Sequence, residues 1–164
     1  MVPPEHPDYS RCMQPFLLPL NDAMQQNTGA RFPRRARLRG HDAFGRIFRE
    51  GEGLRRGQIV VKYHVRPATA TKLHAGFVVR RSAGVNARRN RLRRLVREAY
   101  RLQRHRFEDA LPDGIALDLV LLWSGSPEQA LRPSFDAIRN DVGAALGALL
   151  SRMRKRADGN AEQR

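Results

Sequence analysis

A chain of 164 residues, 41% hydrophobic and with a single cysteine, has material for one core of ordinary size and cannot form an internal disulfide framework. Its 31 basic residues against 16 acidic leave a formal charge of +15, and such an excess calls for a polyanionic partner. No stretch approaches the roughly 18 uncharged apolar residues of a membrane span, so a soluble, cytoplasmic protein with no membrane association is expected.

Residues 1–33 carry Pro3, Pro4, Pro7, Pro15, Pro19 and Pro33 around a polar run and lack any period, which reads as a disordered N-terminal extension. One domain is expected over 34–156 and a disordered tail over 157–164. Ala43, Phe44, Ile47 and Phe48, at helical spacing, predict a first helix from His41 to Arg49 that stops at Gly51. Gly51 and Gly53 mark a turn. The β-branched run from Gln58 to Val65 predicts a strand ended by Pro67, and a second strand follows over about 73–80.

Gly84 breaks the chain, and from about Arg88 a helix is signalled by Leu92, Leu95, Val96, Ala99, Leu102 and Phe107 on one face. Arg93, Arg94, Arg97, Arg101 and Arg104 take the other. After Pro112-Asp113-Gly114, the run Ile115 to Trp123 is apolar except for Asp118 and predicts a central strand. Ser126-Pro127-Glu128 is a helix start, with Pro133 restarting the helix a turn later. The stripe Leu131, Phe135, Ile138, Val142, Leu146, Leu149, Met153 then predicts a long helix against the sheet, with a basic end at 152–156. This order of elements predicts helices packed on a small sheet.

The charge is unevenly spread. No acid occurs between Glu52 and Glu98, a span that holds thirteen cations, among them Arg80, Arg81, Arg88, Arg89, Arg91, Arg93, Arg94 and Arg97. Like charges at helical spacing repel by a few tenths of a kcal/mol per pair, so Arg89, Arg93, Arg97 and Arg101 in succession need an external counter-charge. A phosphate backbone supplies one, and about six neutralised phosphates would give a log-log salt slope of about −4 to −5. The tripeptide Arg89-Asn90-Arg91, at the expected helix start, is a candidate anion pocket because free backbone donors add positive potential there. No histidine pair has zinc-ligand spacing, and neither a catalytic triad nor paired carboxylates stand in the basic region. No catalytic or metal-binding residue is therefore assigned to the chain.

The segment Gly76-Phe-Val-Val, Arg81, Gly84, Arg89-Asn90-Arg91, Arg93-Arg94, Arg97, Ala99-Tyr100 resembles the signature of the bacterial ribonuclease P protein subunit. "LRGHDAFGRIFREG" at 38–51 is similar to that family's first helix, and "ALDLVLLWSG" to its central strand, so the resemblance spans about residues 34–156. It implies a single-domain α+β fold, an αβββαβα sandwich with a small sheet and a left-handed βαβ crossover. It also implies that cleavage chemistry belongs to a catalytic RNA subunit and its Mg2+, with no obligate protein partner. The protein would bind that RNA through Arg80, Arg81, Arg88, Arg89, Asn90, Arg91, Arg93, Arg94 and Arg97. A cleft between the first helix and the sheet would hold the single-stranded 5′ leader of precursor tRNA, with Phe44, Phe48, Lys62 and Tyr63 as candidates. Lys62 stands where the family carries an aromatic, Tyr63 follows one place on, and strand alternation allows only one of the two to face the cleft. The competing expectation is a non-enzymatic RNA-binding protein, a ribosomal protein or an RNA chaperone, using the same helix.

Overall fold

The structure, a computed structural model, describes residues 32–161. After a 3-10 turn at Arg34–Ala36 come helix α1 (His41–Glu50), strands β1 (Glu52–Arg56), β2 (Ile59–Pro67) and β3 (Lys72–Val79), and a second 3-10 turn at Arg81–Ala83. Helix α2 (Asn86–Asp109), strand β4 (Ile115–Trp123), the short helix α3 (Pro127–Leu131) and helix α4 (Phe135–Ala161) complete the chain. The strands form one sheet in the order β1-β2-β4-β3. β1 with β2 and β2 with β4 are antiparallel, whereas β3 and β4 are parallel and joined by α2. The fold is α+β, with β4 in the interior of the sheet as its near-continuous apolar sequence predicts.

Strand alternation sorts the sheet into two faces. Leu54, Val61, Tyr63, Ala75, Leu119 and Leu121 lie on one, in a core shared with Leu92, Val96 and Tyr100 of α2 and with Ile138, Val142 and Leu146 of α4. Those two stripes are the amphipathic patterns of the sequence made physical, and their burial supplies the hydrophobic stabilisation of the domain. The other face carries Lys62, Arg66, His74, Gly76, Asp118 and Val120, and α1 lies across it. Asp118, the polar residue in an otherwise apolar strand, accepts from Arg66 Nη2 at 2.6 Å, and its Oδ1 lies 2.8 Å from His74 Nδ1. A nearly buried carboxylate is stable there because both its oxygens are engaged.

Several expectations shift. The turn at Gly51 and Gly53 instead opens β1, whose sequence Glu-Gly-Leu-Arg-Arg holds one apolar residue and gives no strand period. It pairs with β2 through the tight turn at Gly57, where φ is +51°, a conformation glycine adopts without strain. Phe32 and Pro33 belong to the domain, since Phe32 is buried in the core; residues 1–31 of the expected extension lie outside the described residues. α4 continues to Ala161, past the expected boundary at residue 156. Ser126 caps α3 with a full capping box, and Ser134 Oγ accepts from Ala137 N–H at the start of α4. That restart turns Leu131 out of the stripe, and it is exposed. None of the described helices is long and apolar enough to cross a membrane.

Candidate nucleic-acid interface

The junction between β3 and α2 is where the unpaired charge collects. β3 ends at Val79, Arg80 and Arg81 lead into the 3-10 turn, and Gly84 adopts φ +102°, which a side chain tolerates poorly. Helix α2 begins at Asn86, earlier than the residue-88 start expected from sequence, with Val85 at the cap position and no side-chain cap. Arg89 N–H is accordingly already bonded to Val85 carbonyl oxygen. The backbone donors at the helix mouth therefore belong to the residues before the tripeptide, and Arg89-Asn90-Arg91 contributes side chains rather than main-chain donors to any anion.

Those side chains divide the work. Arg89 folds back over the turn, donating from Nη1 to Gly84 carbonyl oxygen at 2.6 Å and from Nη2 to Asn86 Oδ1. It thereby satisfies a carbonyl that the glycine turn leaves free, and it acts as a clasp as well as a charge. Asn90 Oδ1 accepts from Arg93 Nη1 at 2.6 Å, which orients that guanidinium along the helix. Among the described residues, the side chains of Arg80, Arg81, Arg88, Arg91 and Arg94 make no hydrogen bond or ion pair, and Arg80, Arg81, Arg91 and Arg94 are exposed. They are the surface that a polyanion would meet.

Further along α2 the picture changes. Arg97 is half-buried, its guanidinium carbon 5.7 Å from the centroid of Phe77. Burial first, then the charges of Arg37, Arg93 and Arg94, push its pKa below the usual arginine value. Arg101 pairs with Glu98 at 2.7 Å and Arg104 with Glu108 at 2.8 Å. The uncompensated stretch of the helix is thus its N-terminal part, and the last turns are neutralised internally. Phe32, Phe77 and Tyr100 form an edge-to-face triangle with centroids 5.6–5.7 Å apart beneath Arg97 and Arg104. Sequence reasoning missed this platform, because Phe32 was assigned to the extension. It also left Arg37 out of the interface, although the basic run from 34 to 39 was a visible signal.

On the α1 face, the cleft candidates separate. Phe44 is half-buried over Gly76, where an added Cβ would lie 2.7 Å from Phe44 Cζ, so the ring rests directly on the strand backbone. Phe48, one turn on, is 43% exposed and offers an open ring. Lys62 shares this side of the sheet, its stem running alongside Gly53. Tyr63 does not join them: alternation turns it to the opposite face, where it is buried and donates to Glu52 Oε2 at 2.8 Å. Phe44, Phe48 and Lys62 are brought to one side, with Tyr63 serving the core.

A basic α+β domain with an arginine-faced crossover helix beside a shallow aromatic cleft is the class these features define. Comparison with known proteins makes the assignment specific. The family model described as Ribonuclease P matches residues 32–150. The ribonuclease P protein component of Thermotoga sp. (strain RQ2) is 36% identical over 107 residues, covering 65% of this chain and 81% of that protein. The solved structure of the RNase P protein from Thermotoga maritima aligns with a TM-score of 0.52 at 32% identity, covering 72% of this chain and 97% of that one. That of the Staphylococcus aureus RNase P protein aligns with the same TM-score at 19% identity, over 70% of this chain, and speaks to the fold alone. The chain belongs to the ribonuclease P protein family.

Proposed function

We propose that the chain is the protein subunit of a ribonuclease P ribonucleoprotein, taking part in endonucleolytic removal of the 5′ leader from precursor tRNA. The observation that carries this reading is the uncompensated arginine surface at the β3–α2 junction, on a chain of this family. Arg80, Arg81, Arg88, Arg91 and Arg94 bind the catalytic RNA through its phosphates, with Arg89, Asn90 and Arg93 holding the junction in shape and Arg97 flanking it. Phe44 and Phe48 give unpaired leader bases a surface to stack on, and Lys62 meets a leader phosphate.

The chemistry in this reading belongs to the RNA and its Mg2+. Arginine does not ligate a divalent cation, and among the described residues no three His, Cys, Asp or Glu side chains group closely enough to hold a metal ion. The described residues thus do not fit a magnesium site, and no step is routed through one on the protein. The protein's part is to bring two RNAs together and offset their repulsion, an electrostatic task that lowers the demand for magnesium.

Reconstitution tests it. The full chain added to the catalytic RNA should accelerate 5′ processing of precursor tRNA at low magnesium, and failure to do so would remove the assignment. Migration with ribosomal particles, with precursor processing unaffected, would favour the non-enzymatic RNA-binding alternative instead.

A further inference from the structure

Helix α4 carries a second concentration of charge that the surfaces assigned above leave unused. Arg152, Arg154, Lys155 and Arg156 are all exposed, and the helix holds no acid between Asp141 and Asp158. A basic stretch near a helix end is ordinarily explained by the negative pole of the helix dipole, an effect confined to the last turn. α4 runs on to Ala161 and has no basic residue in its last turn, so these four cations stand too far from its end for the dipole to account for them.

Geometry divides them into two pairs. Arg152 and Arg156, one turn apart, face the border of the sheet, where Arg152 Nη1 donates to Gly53 carbonyl oxygen at 3.1 Å and Arg156 pairs with Glu52. This inner pair pins the end of α4 along β1. Arg154 stands about 200° round the helix from Arg152 and so points away from the sheet, with Lys155 beside it. Among the described residues neither of these side chains makes a hydrogen bond or ion pair. Ser151, one turn earlier on the same outer face, is exposed with them. Asp158 follows at helical spacing and Glu52 is taken by Arg156, so the group keeps an excess of positive charge.

The apolar residues of these turns say what kind of partner fits. Leu149, Leu150 and Met153 are buried, so the outer face offers charge without an apolar anchor. A protein interface or a bilayer surface needs apolar area at its centre, whereas a phosphate backbone is met by charge. Position says that this backbone is not the one at the junction. The sheet order puts β1 three strands from β3, about 14 Å across. Through Tyr63 and Leu119, Glu52 is in register with Ala75, about 13 Å short of the end of β3 at Val79. The two surfaces are roughly 20 Å apart, too far to share a phosphate. α4 also packs on the face of the sheet opposite Phe44 and Lys62, so the leader cleft does not extend to it.

We propose that the outer face of these turns, at Ser151, Arg154 and Lys155, is a second RNA-binding surface, which takes a stretch of the catalytic RNA's backbone separate from the one at the β3–α2 junction. It rests on the ribonuclease P reading above and extends it from one point of attachment to two. Two separated contacts fix the orientation of the protein on the RNA, which a single patch of charge leaves free to turn.

The test starts from the full chain with Cys12→Ser, which removes its one cysteine. Ser151→Cys and, separately, Ala87→Cys at the junction each carry a tethered iron-EDTA chelate that cuts nearby RNA backbone in the reconstituted holoenzyme. The two positions should cut different segments of the catalytic RNA. No cuts from position 151, or the same cuts from both, would overturn the proposal. Affinity gives an independent reading: the double variant Arg154→Ala, Lys155→Ala should bind the catalytic RNA on the order of 10-fold more weakly and flatten its log-log salt slope by about 1.8, at about 0.9 per phosphate. Arg154→Lys should keep the wild-type slope. Binding of an isolated leader oligonucleotide and the circular dichroism spectrum should be unchanged in both variants. An unchanged slope in the double variant sinks the idea, as does an equal loss for the leader oligonucleotide. Wild-type binding to anionic phospholipid vesicles that the double variant abolishes, with RNA affinity intact, would assign the surface to a lipid instead. Should the wild-type holoenzyme fail to process precursor tRNA, the ribonuclease P reading falls by itself; a short RNA duplex then decides the surface, with the same flattening required of the double variant.

Discussion

Arg89 and Arg91 flank the same asparagine, yet the structure separates their roles sharply enough to test. Arg91 is exposed and makes no side-chain hydrogen bond among the described residues, so Arg91→Ala removes charge and little else. Its melting temperature should match the wild type within the error of the measurement. Arg89 holds the glycine turn through Gly84 carbonyl oxygen at 2.6 Å and through Asn86 Oδ1. Two charge-assisted bonds on a half-exposed side chain contribute about 1–2 kcal/mol in all. For a domain of this size that corresponds to a melting temperature lower by about 4–8 °C. Each substitution should flatten the salt slope of binding to the catalytic RNA by about 0.7–0.9 if that arginine meets a phosphate. Thermal unfolding followed by circular dichroism, together with filter-binding titrations over a range of salt, measures both quantities. Equal stability of the two variants would refute the clasp, and an unchanged slope for Arg91→Ala would refute phosphate contact at the exposed position.

Other outcomes follow from the same geometry. Leu119→Ala and Leu121→Ala, in the strand buried on both faces, should each cost about 2–5 kcal/mol in urea unfolding. Gly76→Ala places a methyl 2.7 Å from Phe44 Cζ and should cost about 1–3 kcal/mol while displacing that ring, seen as weaker binding of a leader oligonucleotide. Tyr100 has a buried hydroxyl with no partner among the described residues, and burial pushes its phenol pKa upward, so Tyr100→Phe should leave stability equal to or above the wild type in the same urea titration. Hydrogen bonds from Arg156 and then Tyr63 hold the Glu52 carboxyl below its usual range. Its stabilising effect is full above the unfolded pKa of about 4.3 and fades as pH falls through the lower folded value, so the stability gap between wild type and Glu52→Gln should close in acid.

What the sequence carried most plainly was burial. The unbroken apolar run of β4, and the helical stripes through Leu92, Val96 and Ala99 and through Ile138, Val142 and Leu146, are enforced by the hydrophobic effect and survive intact in the fold. β1 was not legible, because an edge strand with one buried residue derives its order from pairing with β2 rather than from its own pattern. The arginine surface was legible as charge, but its internal division was not. That Arg89 folds back over the turn while Arg91 stays exposed depends on a glycine at φ +102° and on a helix that starts at Asn86, neither of which a charge count records. The choice between Lys62 and Tyr63 was one of phase alone, and it took the register Lys62↔Val120 and Tyr63↔Leu119 to settle it. Phe32 was hidden by its proline-rich surroundings, although it closes the aromatic triangle under α2.

The segment that brings Phe32 into the core also passes beside β3, joined by the parallel bridge Arg37↔Ala75 and by Leu38 N–H to Ala75 carbonyl oxygen at 3.0 Å. That strand would otherwise present its outer row of amides to any extended chain nearby. At the far border, β1 is only five residues long and bears Glu52, Arg55 and Arg56. Both rims of the sheet are thus closed to strand addition, one by a tether and one by brevity and charge. Copies of the chain brought close together, as on a shared polyanion, would thus meet no open strand edge on which to pair.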